Sequence, residues 1–403
     1  MSDSGNSRWQ EHFILWRPVV GLAVVQGSIV LSWVIYRAYL GKLLTQWGFP
    51  ESLADTILLV ETLLAIVLEP LMGGLSDRLK HWMGTRFPLI SLGVILSSAL
   101  FIAIPASVAF GTPTGAIRWI LPSLAVAWAL AMTMFRSPVI ALLIHYAAAP
   151  QLPRAASVRM LITGTMGAFA PLSNKFLLSL GPGITFAAGS IVMLLAVKVL
   201  RSQHPPQPPV PPTPDQIVPL PSLLAGLASI VGLSMGTAWG FRFLASTLSQ
   251  AVVIPIPNAD LKLVTFFFGL IVAVGAFPAG ILATKWGNVR VTLVGIGAMV
   301  YCLLFMGFVP YALGILLAIV GLVATFSLVN NGAFCFIFEA VPPHRIGLGI
   351  GTYFGSYGAA SILFSPLFGS VATDIANQAT YCTIAFLMVG LCMALKSWQM
   401  RNA

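Results

Sequence analysis

Two carboxylates lie inside otherwise apolar stretches of this chain. Glu69 closes the run Leu63-Leu-Ala-Ile-Val-Leu68 and stands directly before Pro70. An acid placed in hydrocarbon costs roughly 3 kcal/mol on insertion scales, so it points to a task rather than to chance. Burial disfavours the charged form of a carboxylate, which suits a group that gains and loses a proton. Pro70 has no N–H, so the carbonyl of Ile66 loses its helical partner, and a free carbonyl beside a buried acid makes a candidate cation or proton site. Glu61 lies two turns earlier on a nearby face and is a candidate relay. Glu69 has two alternative readings: a structural ion pair, with Arg37 or Arg136 as the cation, and the wall of a watery cavity.

Other polar groups also interrupt apolar runs: Gln26 and Arg37, Arg136, Trp239 and Arg242, Asn330 and Asn331. A site for a sugar or related polar solute needs hydrogen-bond donors and acceptors beside an aromatic platform. Gln26, Trp239, Asn330 and Asn331 offer these, and Arg37, Arg136 and Arg242 add cations. The competing reading is helix-to-helix hydrogen bonding, worth about 1 kcal/mol each. No His/Cys set has metal-ligand spacing and no nucleophile has a base partner, so no enzyme chemistry, metal or cofactor is expected. The glycines of Gly347-Leu-Gly-Ile-Gly-Thr-Tyr-Phe-Gly-Ser-Tyr-Gly358 follow no strand, and close helix contact explains them better than phosphate binding.

The elements that must position these groups are membrane helices. The 403 residues are 58% hydrophobic and 8% charged, far from a soluble composition. Twelve apolar runs are long enough to cross a bilayer, at about 18–40, 53–75, 88–109, 119–144, 157–179, 182–200, 221–248, 262–284, 291–309, 312–338, 347–370 and 379–396. Lipid offers the backbone no partners and no barrel alternation is visible, so each run is expected to be a helix. The polar first residues lead into a full span without a cleavage-type site, so that span is expected to be an anchor.

The net charge of +10 is scattered rather than striped, which argues against nucleic acid. Arg8, Arg17, Arg78, Lys80, Arg86, Arg154, Arg159, Lys198, Arg201, Lys285, Arg290, Arg345, Lys396 and Arg401 fall on one side of the twelve-span arrangement. That bias places both termini in the cytoplasm. Prolines crowd Gln203 to Asp215 and forbid a helix there. The expected domains are therefore a bundle at 1–200, a cytoplasmic linker at 201–220 and a second bundle at 221–403.

The halves also share a motif. Gly73-Gly-Leu-Ser-Asp-Arg78 follows span 2, with Gly84 and Arg86 beyond it. Gly280-Ile-Leu-Ala-Thr-Lys285 follows span 8, with Gly287 and Arg290 beyond it. Repetition at half the chain length is the mark of a duplicated bundle. The expected fold is an all-α membrane protein of twelve transmembrane helices in two pseudo-symmetric six-helix bundles. Asp77, at the end of helix 2, opposes the helix dipole and needs a cation: Arg78, Arg86 or a group across the bundle.

This loop and its degenerate copy resemble the signature of the major facilitator superfamily, and the resemblance covers the whole chain through span count and duplication. Ser76-Asp77-Arg78, Gly84-Thr-Arg86-Phe-Pro88 and Glu69-Pro70 resemble the glycoside–pentoside–hexuronide and sucrose symporter branch, whose bacterial members carry Asp-Pro at the last site. Pro138, Ala141, Leu142 and Leu143 match its span-4 motif, while Ile140 and His145 replace the motif's charged pair. The resemblance implies a secondary transporter that moves a small solute, a sugar or related polar compound, by alternating access. Asp77 would serve as an inside-face latch, weaker in the second copy, where Thr284 replaces the acid. In those symporters a second acid stands one turn before the coupling site; here it is Ala65, which favours a proton over a hard cation that wants about six oxygens. The expected partners are membrane lipids, a small-molecule substrate and a proton or other cation, with no nucleic acid. The expected setting is a monomer in a bacterial inner membrane. The rival readings are a non-transporting assembly or pigment/lipid delivery protein on the same fold, and an exporter of amphipathic compounds.

Overall fold

The computed structural model describes residues 13–205, 219–308, 311–370 and 374–402. Arg8, with the rest of the polar N-terminus, and most of the proline-rich linker lie outside them. Among the described residues the chain forms thirteen α-helices: α1 Trp16–Gln46, α2 Ser52–Met83, α3 Phe87–Phe110, α4 Ile120–Ala141, α5 Leu152–Ala168, α6 Ala170–Leu180, α7 Pro182–Gln203, α8 Leu220–Ala251, α9 Leu261–Trp286, α10 Asn288–Phe308, α11 Ala312–Ala340, α12 Ile346–Phe368 and α13 Ile375–Asn402.

They make twelve spans, because α5 and α6 are two pieces of the fifth. Pro171, in the first turn of α6, cannot donate to the carbonyl of Gly167, and the helix breaks there. Ten helical stretches among the described residues are long and apolar enough to cross a membrane. The split fifth span falls outside that set. So does α12, which has the length but is diluted by glycine, serine and tyrosine.

The structure corrects the reading of the motif as a loop. α2 runs through Gly73 and Asp77 to Met83 and stops only at Gly84, whose φ of +70° admits no side chain easily and whose N–H bonds Lys80 O at 2.9 Å. α9 likewise contains Gly280 and Lys285 and ends at Gly287, φ +85°. Nothing before those two glycines breaks a helix, so the motif residues form the last turns of their helices.

Helices α1–α7 pack as one group and α8–α13 as another. The contacts between the groups run mainly through α2–α12 and α5–α9, with smaller ones at α4–α12, α5–α11 and α6–α9. In the α2–α12 seam the glycines of α12 lie on the backbone of α2. A Cβ at Gly73 would collide with the carbonyl oxygen of Gly347, and one at Gly351 with that of Glu69. At Gly355 it would come within 2.7 Å of Ile66 O. In the α5–α9 seam, Gly164 faces Ala273 and Gly269 faces Ala168. Small residues on both sides of each seam allow helices to approach this closely.

Candidate functional site

Between the two groups, at mid-helix, lies a cavity of about 500 Å³. Five of its wall residues are arginines or glutamates: Arg37 of α1, Glu61 and Glu69 of α2, Arg136 of α4 and Arg159 of α5. The opposite wall comes from α9, α11 and α12 and includes Ser327, Asn330, Phe334, Tyr353, Phe354 and Tyr357.

Glu69 is fully buried. Its Oε1 forms an ion pair with Arg136 Nη2 at 2.6 Å, and its Oε2 accepts a hydrogen bond of 2.6 Å from Ser137 Oγ. Arg136 also lies over the ring of Phe354, 4.2 Å from its centroid, and so joins α2, α4 and α12 around one charge. A buried carboxylate needs that company, since an unpaired charge in low dielectric costs several kcal/mol. Of the two cations considered for Glu69, Arg136 is the partner, and the pair forms part of the cavity wall. The carbonyl of Ile66, freed by Pro70, points at Gly355 of α12 and not into the cavity, so it is no ligand there.

Glu61 is 5% exposed, and the hydroxyl of Tyr36 donates to its Oε1. Arg37, one residue on from that tyrosine, is exposed on the cavity wall near the ring of Trp33.

Other expected cavity residues are placed elsewhere. Gln26 donates to the carbonyl of Arg136 at 3.4 Å, binding α1 to α4. Trp239 donates to Ala360 O at 2.8 Å, and Arg242 to Ser361 O at 3.3 Å; both tie α8 to α12 outside the cavity wall. Asn331 is fully buried within α11, whereas its neighbour Asn330 reaches the cavity. One step along a helix turns a side chain by about 100°, so adjacent asparagines cannot share a face. The aromatic platform expected from Trp239 is instead supplied by Trp33, Phe334, Phe354 and Tyr357.

The charge bias predicts Arg159 on the basic face. It is instead 7% exposed and lines the cavity, with its guanidinium carbon 3.9 Å from the centroid of Phe334 on α11. Because α5 begins at Leu152, residue 159 lies two turns inside, about 10 Å along the axis. In sequence Arg159 differs from Arg154 only in lying about a turn and a half further into the helix, which charge bias does not register.

At the end that carries the basic turns a polar clamp joins the two halves. Asp77 is buried and forms an ion pair with Arg86 at 2.7 Å. It also accepts hydrogen bonds from the backbone N–H groups of Gly347 (3.0 Å) and Leu348 (2.8 Å) in the other half. Arg86, 1% exposed, additionally donates to Ser76 Oγ at 2.8 Å. The acid thus sits at the positive N-terminal end of α12, which favours the contact. Arg78, the adjacent cation, is exposed and does not pair with it. In the second copy, Thr284 turns its hydroxyl back to Gly280 O at 2.9 Å, and Lys285 and Arg290 are exposed.

No family model matches the sequence. The structure matches a bacterial homologue of the iron transporter ferroportin in an outward-facing state, at 16% identity over 94% of this chain and 99% of that one, with a TM-score of 0.65. The human organic anion transporter MFSD10 (TETRAN) matches at 16% identity over 94% and 99%, with a TM-score of 0.67. The major facilitator proton:xylose symporter XylE matches at 14% identity over 95% of each chain, with a TM-score of 0.63. At such identities the fold alone is shared, and that fold is the major facilitator fold. In sequence, a stretch of 96 residues is 29% identical to human "proton-associated sugar transporter A", covering 23% of this chain and 13% of that protein.

Proposed function

We propose that this protein is a secondary active transporter that moves a small polar solute by alternating access, coupled to a proton. The observation that carries the reading is the Glu69–Arg136 ion pair in the wall of a cavity between the halves. The same α2 backbone is in van der Waals contact with the glycines of the opposite half. A proton on Glu69 removes the charge that holds Arg136. Arg136 then turns to cavity water or solute, and the polar contact among α2, α4 and α12 loosens.

In this reading the halves, 1–200 and 221–403, rock as bodies joined by the linker at 201–220. Asp77 latches the cytoplasmic end, and the conformation described here opens away from it. Both termini lie in the cytoplasm of a bacterial cell, and the protein works as a monomer in the inner membrane. A proton is favoured over sodium. Ala65 stands on the cavity wall where a second acid would help ligate a metal cation, and the Ile66 carbonyl is turned away. The likeness to the proton-associated sugar transporter, short as it is, supports the sugar-cation symporter branch and proton coupling.

The test is Glu69→Gln in proteoliposomes. The variant keeps solute exchange across the membrane and loses accumulation driven by a pH gradient. Accumulation with the wild-type pH dependence would falsify the coupling role.

A further inference from the structure

The cavity holds three arginines and two carboxylates. Arg136 is taken by Glu69. Arg37 stands on the α1 wall beside Tyr36, which holds Glu61. Arg37 also forms no ion pair but is exposed, so Arg159 is the buried arginine of the wall that has none among the described residues. The groups that act electrostatically on it are Cys335 and Tyr353, and no carboxylate is among them. Its Nε is buried without an acceptor. The guanidinium carbon stands 3.9 Å from the centroid of the Phe334 ring. A ring attracts the cation but is a far weaker acceptor for its N–H groups than an oxygen. A planar cation with a buried N–H unsatisfied and no ion-pair partner suits a fork of acceptor oxygens.

We infer that the solute is a small organic anion, whose carboxylate or phosphate group is held by Arg159 in the cavity. The inference rests on the transporter reading for the passage of the anion, though not for its binding. Arg159 lies on α5 of one half and touches Phe334 of the other, so an anion there meets both halves at once. Thr133, Asn330 and Ser361 supply hydrogen-bonding groups for the body of the molecule, and Phe354 and Tyr357 supply an apolar face.

The test compares glucose, glucuronate and glucose 6-phosphate, which share a ring and differ in charge, as stabilisers of the purified full chain in detergent. Glucuronate or glucose 6-phosphate raises the unfolding temperature while glucose does not, and the stronger of the two identifies the anionic group. Arg159→Gln lowers anion affinity at least about tenfold. If the glutamine variant is not recovered folded, Arg159→Lys carries the test. It keeps the charge without the fork and loses at least about threefold. An equal shift with glucose, no shift with either anion, or unchanged anion affinity in the variant overturns the assignment. Anion binding that depends on Arg159, without uptake by proteoliposomes, counts against the transporter reading and leaves the site standing. Uptake of neutral sugar indifferent to Arg159 does the reverse.

Discussion

Where α2 meets α12, close backbone packing ends in a buried carboxylate, its arginine and two N–H groups of the opposite half. Where α5 meets α9, packing is equally close at Gly164–Ala273 and Gly269–Ala168, yet the corresponding end carries no acid. There Gly280 rests on Ser157 and Pro153, and Thr284 satisfies itself within its own helix. Duplication placed the same helix-ending motif in both halves, but only one copy kept the charge that reaches across. Apolar packing responds little to protonation or charge, whereas a buried ion pair strengthens or fails as a unit. In the proposed mechanism the α2–α12 seam is the one that a change of charge at Glu69 would switch, since Glu69 and Asp77 lie on the same helix.

The comparison breaks most severely if backbone contact in the first seam is blocked. Gly351→Leu drives a side chain into the carbonyl of Glu69, where no flexible neighbour can yield, and costs more than about 3 kcal/mol. The unfolding temperature drops, and cross-linking between Thr62→Cys and Gly358→Cys disappears. A well-folded variant that still cross-links would show that α12 does not need to lie on α2.

Next in size is the charge. Arg86→Gln leaves Asp77 buried without its cation, a change worth about 3–5 kcal/mol. With the native cysteines replaced, a cysteine at Leu348 becomes reactive to an impermeant thiol reagent applied from the latch side. Arg78→Gln, altering the exposed neighbour, leaves that reactivity unchanged and moves stability by no more than about 0.5 kcal/mol. Similar behaviour of the two variants would show that Asp77 draws on general positive charge and not on one partner.

The smallest effect belongs to the second seam. Gly280→Ala brings a methyl group to 2.6 Å from Ser157 Cβ and 2.7 Å from Pro153 O. It destabilises by about 1–2 kcal/mol without altering the pH dependence of transport. A changed pH profile would mean that this seam, too, answers to charge in the cavity.

How much of this was legible beforehand depended on the range of the interaction involved. The spans, the duplication and the acid before Pro70 were readable because hydrocarbon thickness and backbone hydrogen bonding act on local sequence. Glycine spacing in α12 likewise announced a close helix contact. Which helix it touched did not follow, since any smooth partner would accept those glycines. Span order alone places Arg159 on the basic face, whereas its depth depends on where α5 begins.

Residue types and periods in the chain alone determined a membrane-spanning helical protein in two related halves, with Glu69 buried and Asp77 at the end of the second span. Each of those follows from the cost of placing polar groups in lipid. Only the tertiary structure decided that Arg136 and not Arg37 answers Glu69, that Arg86 and not Arg78 answers Asp77, and that Trp239 and Asn331 turn away from the cavity while Arg159 turns toward it. Those choices rest on which helices are neighbours and how each is rotated. Hydropathy cannot encode them, because a helix equally apolar on all sides carries no mark of its inward face.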